Sequence, residues 1–159
     1  PLILVSIVGI ETNYGKRYAE HSVFNSLYTQ TINFPKRSAW ATKEIFELLL
    51  YSKEEKINPF SLYGSYAGAF GYGQFIPSSF NKLSIDYNKD GIKNPYGWED
   101  VLGSIAFYLT ENGYPNNNNN FSFRSPIWRS IRTYNRSDKY ANTVIEFRNN
   151  LSRRIFLSY

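Results

Sequence analysis

Runs of apolar positions separated by polar turns predict a chain built mostly from helices. The first segment, Pro1 to Tyr14, is rich in branched apolar residues, and Gly15 is suited to end a helix there. The apolar run by itself would fit a buried strand equally well. A second helix is predicted over Val23 to Thr31, ending before Pro35, because the residue before a proline disfavours helical geometry.

The third predicted helix begins at Ser38, whose hydroxyl can cap it, and a broad apolar face should pack against the core. That face consists of Ala39, Ile45, Phe46, Leu48, Leu49 and Leu50. Later helices are predicted after Pro77, over Val101 to Glu111, over Trp128 to Tyr134 and over Asp138 to about Phe156. No hairpin signal or internal repeat is visible, so the predicted fold class is mostly α, in a single domain over residues 1–159.

Composition and charge narrow the function classes. The chain carries a formal net charge of +5, which favours an anionic partner such as nucleic acid, a membrane surface or a cell-wall polymer. Its basic residues are spread out, so we expect no nucleic-acid partner. Because the chain has no cysteine and one histidine, His21, thiolate chemistry is excluded, and a histidine metal site or a Ser-His triad is disfavoured.

The 14 tyrosines fit either a sugar-binding surface, where the ring packs and the hydroxyl bonds, or a tyrosine-rich core. No stretch is long enough to span a membrane. The chain contains no methionine, so we expect a processed or trimmed piece from which a targeting signal has been removed. The tract Asn116 to Asn120 is predicted to be a surface loop.

Three further segments carry candidate site residues. Glu11 stands at the polar end of the first apolar segment, where partial desolvation raises a carboxyl pKa and suits it to general-acid catalysis; a solvated charge is the alternative. The glycine-rich stretch Tyr63 to Gly73 predicts either tight helix packing or a groove edge with Gln74 facing a polar ligand. The polar, aromatic turn Tyr134 to Ala141 should hold the N-cap of the last helix, at Ser137 or Asp138.

The loop that begins at Asp86 has the opening of an EF-hand calcium site. Its positions 1, 3 and 5 are Asp86, Asn88 and Asp90, followed by Gly91 at position 6 and Ile92, with its backbone carbonyl, at position 7. The usual glutamate at position 12 is absent, and Asp100 at position 15 can close a longer loop. An Asx-rich turn without an ion is the alternative.

Together these segments resemble the membrane-bound lytic transglycosylase B family of bacterial peptidoglycan enzymes, including its soluble form. The matching stretches are Gly9 to Gly15, Phe34 to Arg37, Gly64 to Ser79, Asp86 to Asp100 with Gly103 and Ser104, and Arg132 to Ala141. They cover nearly the whole chain, and the central stretch is the most specific. The resemblance implies an α-rich, lysozyme-like catalytic domain that cleaves between N-acetylmuramic acid and N-acetylglucosamine and leaves 1,6-anhydromuramoyl ends.

The resemblance also assigns roles to residues. Glu11 would be the single catalytic acid/base. Substrate contacts would come from Ser65 near the carboxyl, Gln74 on the sugar, and Tyr134, Asn135 and Tyr140 around the cleavage point. A structural Ca²⁺ would be held by Asp86, Asn88, Asp90, Ile92 and Asp100.

The resemblance implies a monomer that acts on peptidoglycan glycan strands in the periplasm or cell envelope, with membrane contact only through a lipid anchor outside this chain. Family members carry a further N-terminal helical region, which we expect to be absent or trimmed here. Phe70 and Ile76 stand where the family often has methionine, and Tyr18 to Gln30 matches poorly. A hydrolytic muramidase with a second carboxylate and a catalytically silent glycan-binding module are the alternative functions.

Overall fold

The computed structural model describes residues 1–157, with side chains through Ile155, and the mostly α fold class is confirmed. Residues 158–159, the end of the predicted domain, lie outside the described residues. The helices are α1 (Leu2–Thr12), α2 (Val23–Asn33), α3 (Ser38–Glu54), α4 (Pro77–Leu83), α5 (Trp98–Glu111), α6 (Pro126–Tyr134) and α7 (Asp138–Leu157). Two short strands, β1 (His21–Ser22) and β2 (Tyr63–Gly64), pair antiparallel, and a 3-10 turn covers Pro59–Ser61.

The first apolar segment is a helix, and its end is tied to the glycine-rich segment. The helix stops at Thr12, before the predicted Tyr14, because Asn13 adopts left-handed geometry with φ 48°. The Thr12 hydroxyl lies 3.2 Å from the Tyr72 carbonyl and accepts a hydrogen bond from the Gly15 amide at 3.1 Å. These contacts bring the last turn of α1 next to the glycine-rich segment.

The predicted apolar face of α3 is wrong for four of its six residues. Leu48 is buried and Ile45 half-buried, but the rest of the predicted face is exposed: Ala39, Phe46, Leu49 and Leu50. The buried stripe instead runs through Ala41, Glu44, Leu48 and Tyr51. At about 100° per residue the six predicted positions span roughly 200° of the helix, so only one edge of the set can reach the core. The predicted Ser38 cap is also wrong, since Arg37 holds the cap position and makes no side-chain cap bond.

The two strands were not predicted, because each has only two residues and no hairpin turn joins them. They hold the start of the glycine-rich segment against β1, with Gly64 opposite His21. A Cβ at Gly64 would lie 1.8 Å from the Ala69 carbonyl oxygen, so this position requires glycine. Farther on, Phe70 and Phe75 exchange backbone hydrogen bonds of 2.9 and 3.1 Å and close a turn.

One hydrophobic cluster joins these elements. Fully buried side chains come from α1, α2, the glycine-rich segment, α5 and α6: Ile7, Leu27, Phe70, Ile105 and Ile131. The contacts of α1 with α7 are among the most extensive between helices, which fixes the ends of both helices relative to each other. Within the part of the chain that the structure describes, no helix is long and apolar enough to cross a membrane.

Candidate active site

Glu11 and Tyr140 meet where α1 packs against α7. The Tyr140 hydroxyl donates a 2.6 Å hydrogen bond to Oε1 of Glu11, although the two residues are 129 positions apart. Gly9 allows the close approach of the helices, because a Cβ there would lie 2.7 Å from the Phe147 ring. Ser137 accepts a hydrogen bond from the Tyr140 amide at 3.3 Å, so the predicted cap is confirmed at Ser137 and holds Tyr140 in the first turn of α7.

The environment of Glu11 favours the protonated carboxyl. Burial raises its pKa from 4.5 to about 7, and the hydrogen bond from Tyr140 opposes part of that rise. A carboxyl with this pKa can be protonated at neutral pH and can also give up its proton, which general acid and general base catalysis both require.

Three tyrosines form the wall beside Glu11. The Tyr134 ring lies parallel to the Tyr140 ring, with centroids 6.3 Å apart, and the edge of Tyr108 meets Tyr134 at 4.9 Å. The Tyr134 hydroxyl donates a 2.5 Å hydrogen bond to the Gly73 carbonyl. Burial and the nearby Glu11 charge raise the pKa of both Tyr134 and Tyr140, so both hydroxyls stay protonated.

Gln74 lies in a recess next to this wall. Its backbone is left-handed, with φ 52°, and its side-chain amide donates a 2.9 Å hydrogen bond to the Gly71 carbonyl. The carboxamide oxygen faces no donor among the described residues, so it can accept from a ligand. The recess has a volume of about 370 Å³, and Gln74 and Tyr134 line it together with Trp40 and Arg136.

Two predicted substrate residues are not joined to Glu11. The Ser65 hydroxyl accepts a 3.3 Å hydrogen bond from the Ala69 amide within its own turn. Asn135 is exposed at the C-terminal cap of α6. Among the described residues, no side-chain hydrogen bond links either of them to Glu11.

The sequence reading missed Tyr108 and Glu44. Tyr108 meets Tyr134 edge-on in the tyrosine wall, and an aromatic residue on α5 was the only signal of this in the sequence. Glu44 is buried, and its two carboxylate oxygens accept from the Ser78 amide at 2.9 Å and the Ser78 hydroxyl at 2.8 Å. Its place on the helical stripe with Leu48 could have shown that it points inward.

The acidic loop is organised around Asp100. Asp100 lies in the first turn of α5 and is buried. Its carboxylate accepts hydrogen bonds from the Tyr87 amide at 2.8 Å and from the Asn94 amide at 2.9 Å. Asp86 accepts from the amides of Asp90 and Gly91 at 3.1 and 2.8 Å. Within residues 1–155, no group of three or more His, Cys, Asp or Glu side chains is arranged as a metal site.

The groups of this loop that could bind a metal ion are nevertheless all oxygen atoms. Asp86, Asp90 and Asp100 supply carboxylate oxygens, Asn88 supplies a carboxamide oxygen, and Ile92 supplies a backbone carbonyl. Gly91, with φ 90°, makes the sharp turn that an EF-hand loop needs at that point. An all-oxygen set fits Ca²⁺ rather than Zn²⁺ or copper.

A family model described as the transglycosylase SLT domain matches residues 1–126. The membrane-bound lytic murein transglycosylase B of Escherichia coli (strain K12) is 37% identical over 114 residues, which cover 72% of this chain and 32% of that protein.

Solved structures of lytic transglycosylases match the fold. E. coli Slt35, solved in complex with calcium and also with bulgecin A, has a TM-score of 0.90 at 25% identity, covering 97% of this chain and 66% of Slt35. SltB1 of Pseudomonas aeruginosa has a TM-score of 0.89 at 27% identity, covering 96% of this chain and 70% of SltB1. The chain spans about a third of the length of transglycosylase B and just under two thirds of Slt35. The resemblance drawn from the motifs is confirmed, and the chain belongs to the transglycosylase SLT domain family.

Proposed function

We propose that this chain is a peptidoglycan lytic transglycosylase that uses Glu11 as its acid/base. The observation that carries the proposal is the position of Glu11: a carboxyl with a pKa of about 7 at the end of a buried helix, bonded to Tyr140 and bordered by an aromatic wall. Membership of the transglycosylase SLT domain family supports the substrate class.

In the first step Glu11 acts as an acid. Its proton passes to the glycosidic oxygen between N-acetylmuramic acid and N-acetylglucosamine as the bond from that oxygen to C1 breaks. The hydrogen bond from Tyr140 stabilises the carboxylate that this step leaves behind. Burial raises the pKa of Glu11 to about 7, so a substantial share of the molecules carries the required proton at neutral pH.

In the second step Glu11 acts as a base. The carboxylate takes the proton of the C6 hydroxyl on the same muramoyl residue while O6 bonds to C1. Glu11 thus regains the proton that it gave up in the first step. No water is consumed, and the product carries a 1,6-anhydro ring. An attacking group within the same sugar has a high effective molarity, which offsets the absence of a second catalytic carboxylate.

The other predicted site residues would position the sugar. Tyr134 lines the recess together with Gln74, whose carboxamide oxygen is available there, and Tyr140 lies parallel to Tyr134 and bonds to Glu11. Ser65 and Asn135 would contact the substrate rather than Glu11, since neither bonds to Glu11 among the described residues.

Calcium would act structurally. Asp86, Asn88, Asp90 and Asp100, with the Ile92 carbonyl, would hold it, and their oxygen donors and the Gly91 turn support the assignment. A bound ion would join the first part of the α4–α5 connection to the first turn of α5 and restrain both. Slt35, which was solved in complex with calcium, matches this fold.

The proposed cellular location follows from the proposed substrate. We place the activity in the periplasm or cell envelope of a bacterium, in a monomer whose residues 1–159 form a single catalytic domain. A net charge of +5 suits an anionic wall polymer, although salt screens exposed charges.

A hydrolytic muramidase is the first rival. It requires a second carboxylate near the cleaved bond. Within residues 1–155 the other buried carboxylates are Glu44 and Asp100, and both accept backbone amide hydrogen bonds away from Glu11. This arrangement favours the transglycosylase. A silent glycan-binding module is the second rival, and the perturbed pKa of Glu11 argues against it, since binding alone needs no such group.

Purified peptidoglycan incubated with the parent chain and analysed by mass spectrometry tests the proposal. Products lighter by one water than hydrolysis products are expected, and Glu11→Gln should abolish them. Glu111→Gln, at an exposed position at the end of α5, is the matched control and should behave as the parent does. Hydrated products would identify a muramidase, and full activity in Glu11→Gln would refute the catalytic assignment.

A further inference from the structure

A second recess lies on the side of α7 that faces away from Glu11. It encloses about 350 Å³ between α7, the first turn of α6 and the loop before α6. We call it the α7 recess, and the residues that matter here are Phe123, Trp128, Asn142, Glu146, Asn149 and Arg153.

Helical geometry separates this recess from the catalytic carboxyl. Asn142, Glu146, Asn149 and Arg153 follow helical spacing and share one face of α7. At about 100° per residue, Asn142 points roughly 200° around the helix from Tyr140. Tyr140 faces Glu11, so the α7 recess opens on the opposite side of the helix.

An aromatic surface forms one wall of the recess. Phe123 is 56% exposed, and its ring meets the Trp128 ring edge-on, with centroids 4.8 Å apart. The Arg148 guanidinium lies 4.1 Å from the centroid of Phe121 and braces the same loop. Phe123 supplies the exposed ring of this wall, with the Arg124 guanidinium 5.0 Å from its centroid, whereas Trp128 is buried. An exposed ring held in a fixed orientation beside a few polar groups is typical of small-ligand sites, and a pyranose presents a matching apolar C–H face.

The amide groups of the recess have defined orientations. The Trp128 indole N–H can only donate, and it donates a 2.7 Å hydrogen bond to Oδ1 of Asn142. The Asn142 NH₂ group is therefore turned away from the indole, and it has no acceptor among the described residues. In the same way, Arg148 donates to Oδ1 of Asn149 at 3.0 Å and leaves that NH₂ group available.

Charged groups of both signs complete the recess. Glu146 and Arg153 are exposed and form no ion pair within residues 1–155. The recess thus offers amide donors for an acetamido carbonyl, a carboxylate for a hydroxyl or N–H group, and a guanidinium for a carboxylate. Because Glu146 and Arg153 carry opposite charges, the recess does not favour a ligand that carries only negative charges.

We propose that the α7 recess is a second glycan-binding site, which takes one N-acetylated sugar together with a carboxylate of the peptide attached to the strand. The proposal rests on the proposed function only for the identity of the polymer, a peptidoglycan strand. Binding there would hold the protein on insoluble wall material while a different part of the strand reaches Glu11.

Co-sedimentation with purified insoluble peptidoglycan, in the Glu11→Gln background, tests the site. Asn142→Asp keeps the oxygen that accepts from Trp128 but replaces the donor with an anionic acceptor, so the fold is retained. We expect Asn142→Asp and Phe123→Ala each to weaken binding about ten-fold, which corresponds to about 1.4 kcal/mol. Asn119→Asp makes the same charge change at an exposed position outside the recess and should bind as its parent does.

A second measurement separates this site from the cleft. With Glu11 intact, Asn142→Asp should leave turnover of a short soluble glycan unchanged and slow turnover of insoluble peptidoglycan. Unchanged sedimentation of both variants, no sedimentation of the parent, or equal losses on both substrates would overturn the proposal. A further outcome separates the two proposals. If the recess variants lose sedimentation but the chain with Glu11 intact forms no products from peptidoglycan, then the α7 recess stands and the proposed catalytic function fails.

Discussion

Replacing Glu11 with glutamine should stabilise the folded protein at neutral and alkaline pH, even though it should abolish catalysis. Burial raises the pKa of Glu11 from 4.5 to about 7 in the folded protein. The unfolded chain therefore releases this proton at a lower pH than the folded chain does. The contribution of protonated Glu11 to folding stability is fully present below pH 4.5, and it is lost as the pH rises from 4.5 to about 7. Glutamine is neutral throughout and keeps the oxygen that accepts from Tyr140.

The size of this effect follows from the pKa. A rise from 4.5 to about 7 is a difference of roughly 2.5, and each pKa unit corresponds to about 1.4 kcal/mol. Ionised Glu11 thus costs the fold up to roughly 3 kcal/mol above pH 7, and partial exposure to solvent reduces this value. For a chain of 159 residues, at about 3 °C per kcal/mol, the melting temperature of Glu11→Gln should exceed that of the parent by up to about 9 °C.

Thermal unfolding of the parent, Glu11→Gln and the Glu111→Gln control, followed by circular dichroism from pH 4 to pH 8.5, measures this effect. The curve for Glu11→Gln should separate from the parent curve across the window from 4.5 to about 7 and then stay parallel to it. Glu111 is exposed, so its control should follow the parent throughout. A gap that is constant with pH, or that opens as the pH falls, would refute the raised pKa.

Three further predictions concern single contacts. Tyr140→Phe removes the hydrogen bond that lowers the pKa of Glu11, so the alkaline limb of the pH–rate profile should move up by about one pH unit; an unmoved limb would contradict the contact. Calcium should raise the melting temperature of the parent by several degrees and a chelator should reverse this, whereas Asp100→Asn should give no calcium response; a parent that is insensitive to both would exclude the ion. Glu44→Ala leaves Ser78 unpaired and should cost about 2–4 kcal/mol in urea unfolding, with activity per folded molecule unchanged; a loss below 0.5 kcal/mol, as at a surface position, would contradict the buried contact.

The helical fold and the identity of the local elements could be predicted because they depend on neighbouring residues. Ser137 is an example, since a hydroxyl before a helix meets amides only three positions away. The buried face of α3 could not be predicted by counting apolar residues. Glu44 takes a core position because Ser78, 34 residues away, satisfies its carboxylate, while Phe46 is left 60% exposed.

The same distinction between local and long-range contacts applies to the candidate active site. Glu11 was predicted as the catalytic residue from its place at the end of an apolar segment and from its motif. Its hydrogen bond to Tyr140 spans 129 residues and depends on how closely α1 and α7 pack at Gly9, which no local pattern records. Tyr108 joins the aromatic wall through the same kind of long-range packing, from α5 to α6.

In the proposed reaction, Glu11 closes a ring within the substrate and uses no water. The most direct test digests peptidoglycan in water enriched in oxygen-18 and follows the heavy isotope in the newly formed muramoyl ends by mass spectrometry. We expect anhydro ends without oxygen-18 for the parent chain and no new ends for Glu11→Gln. New ends that carry one oxygen-18 atom would show that water attacks C1, and they would contradict the intramolecular mechanism.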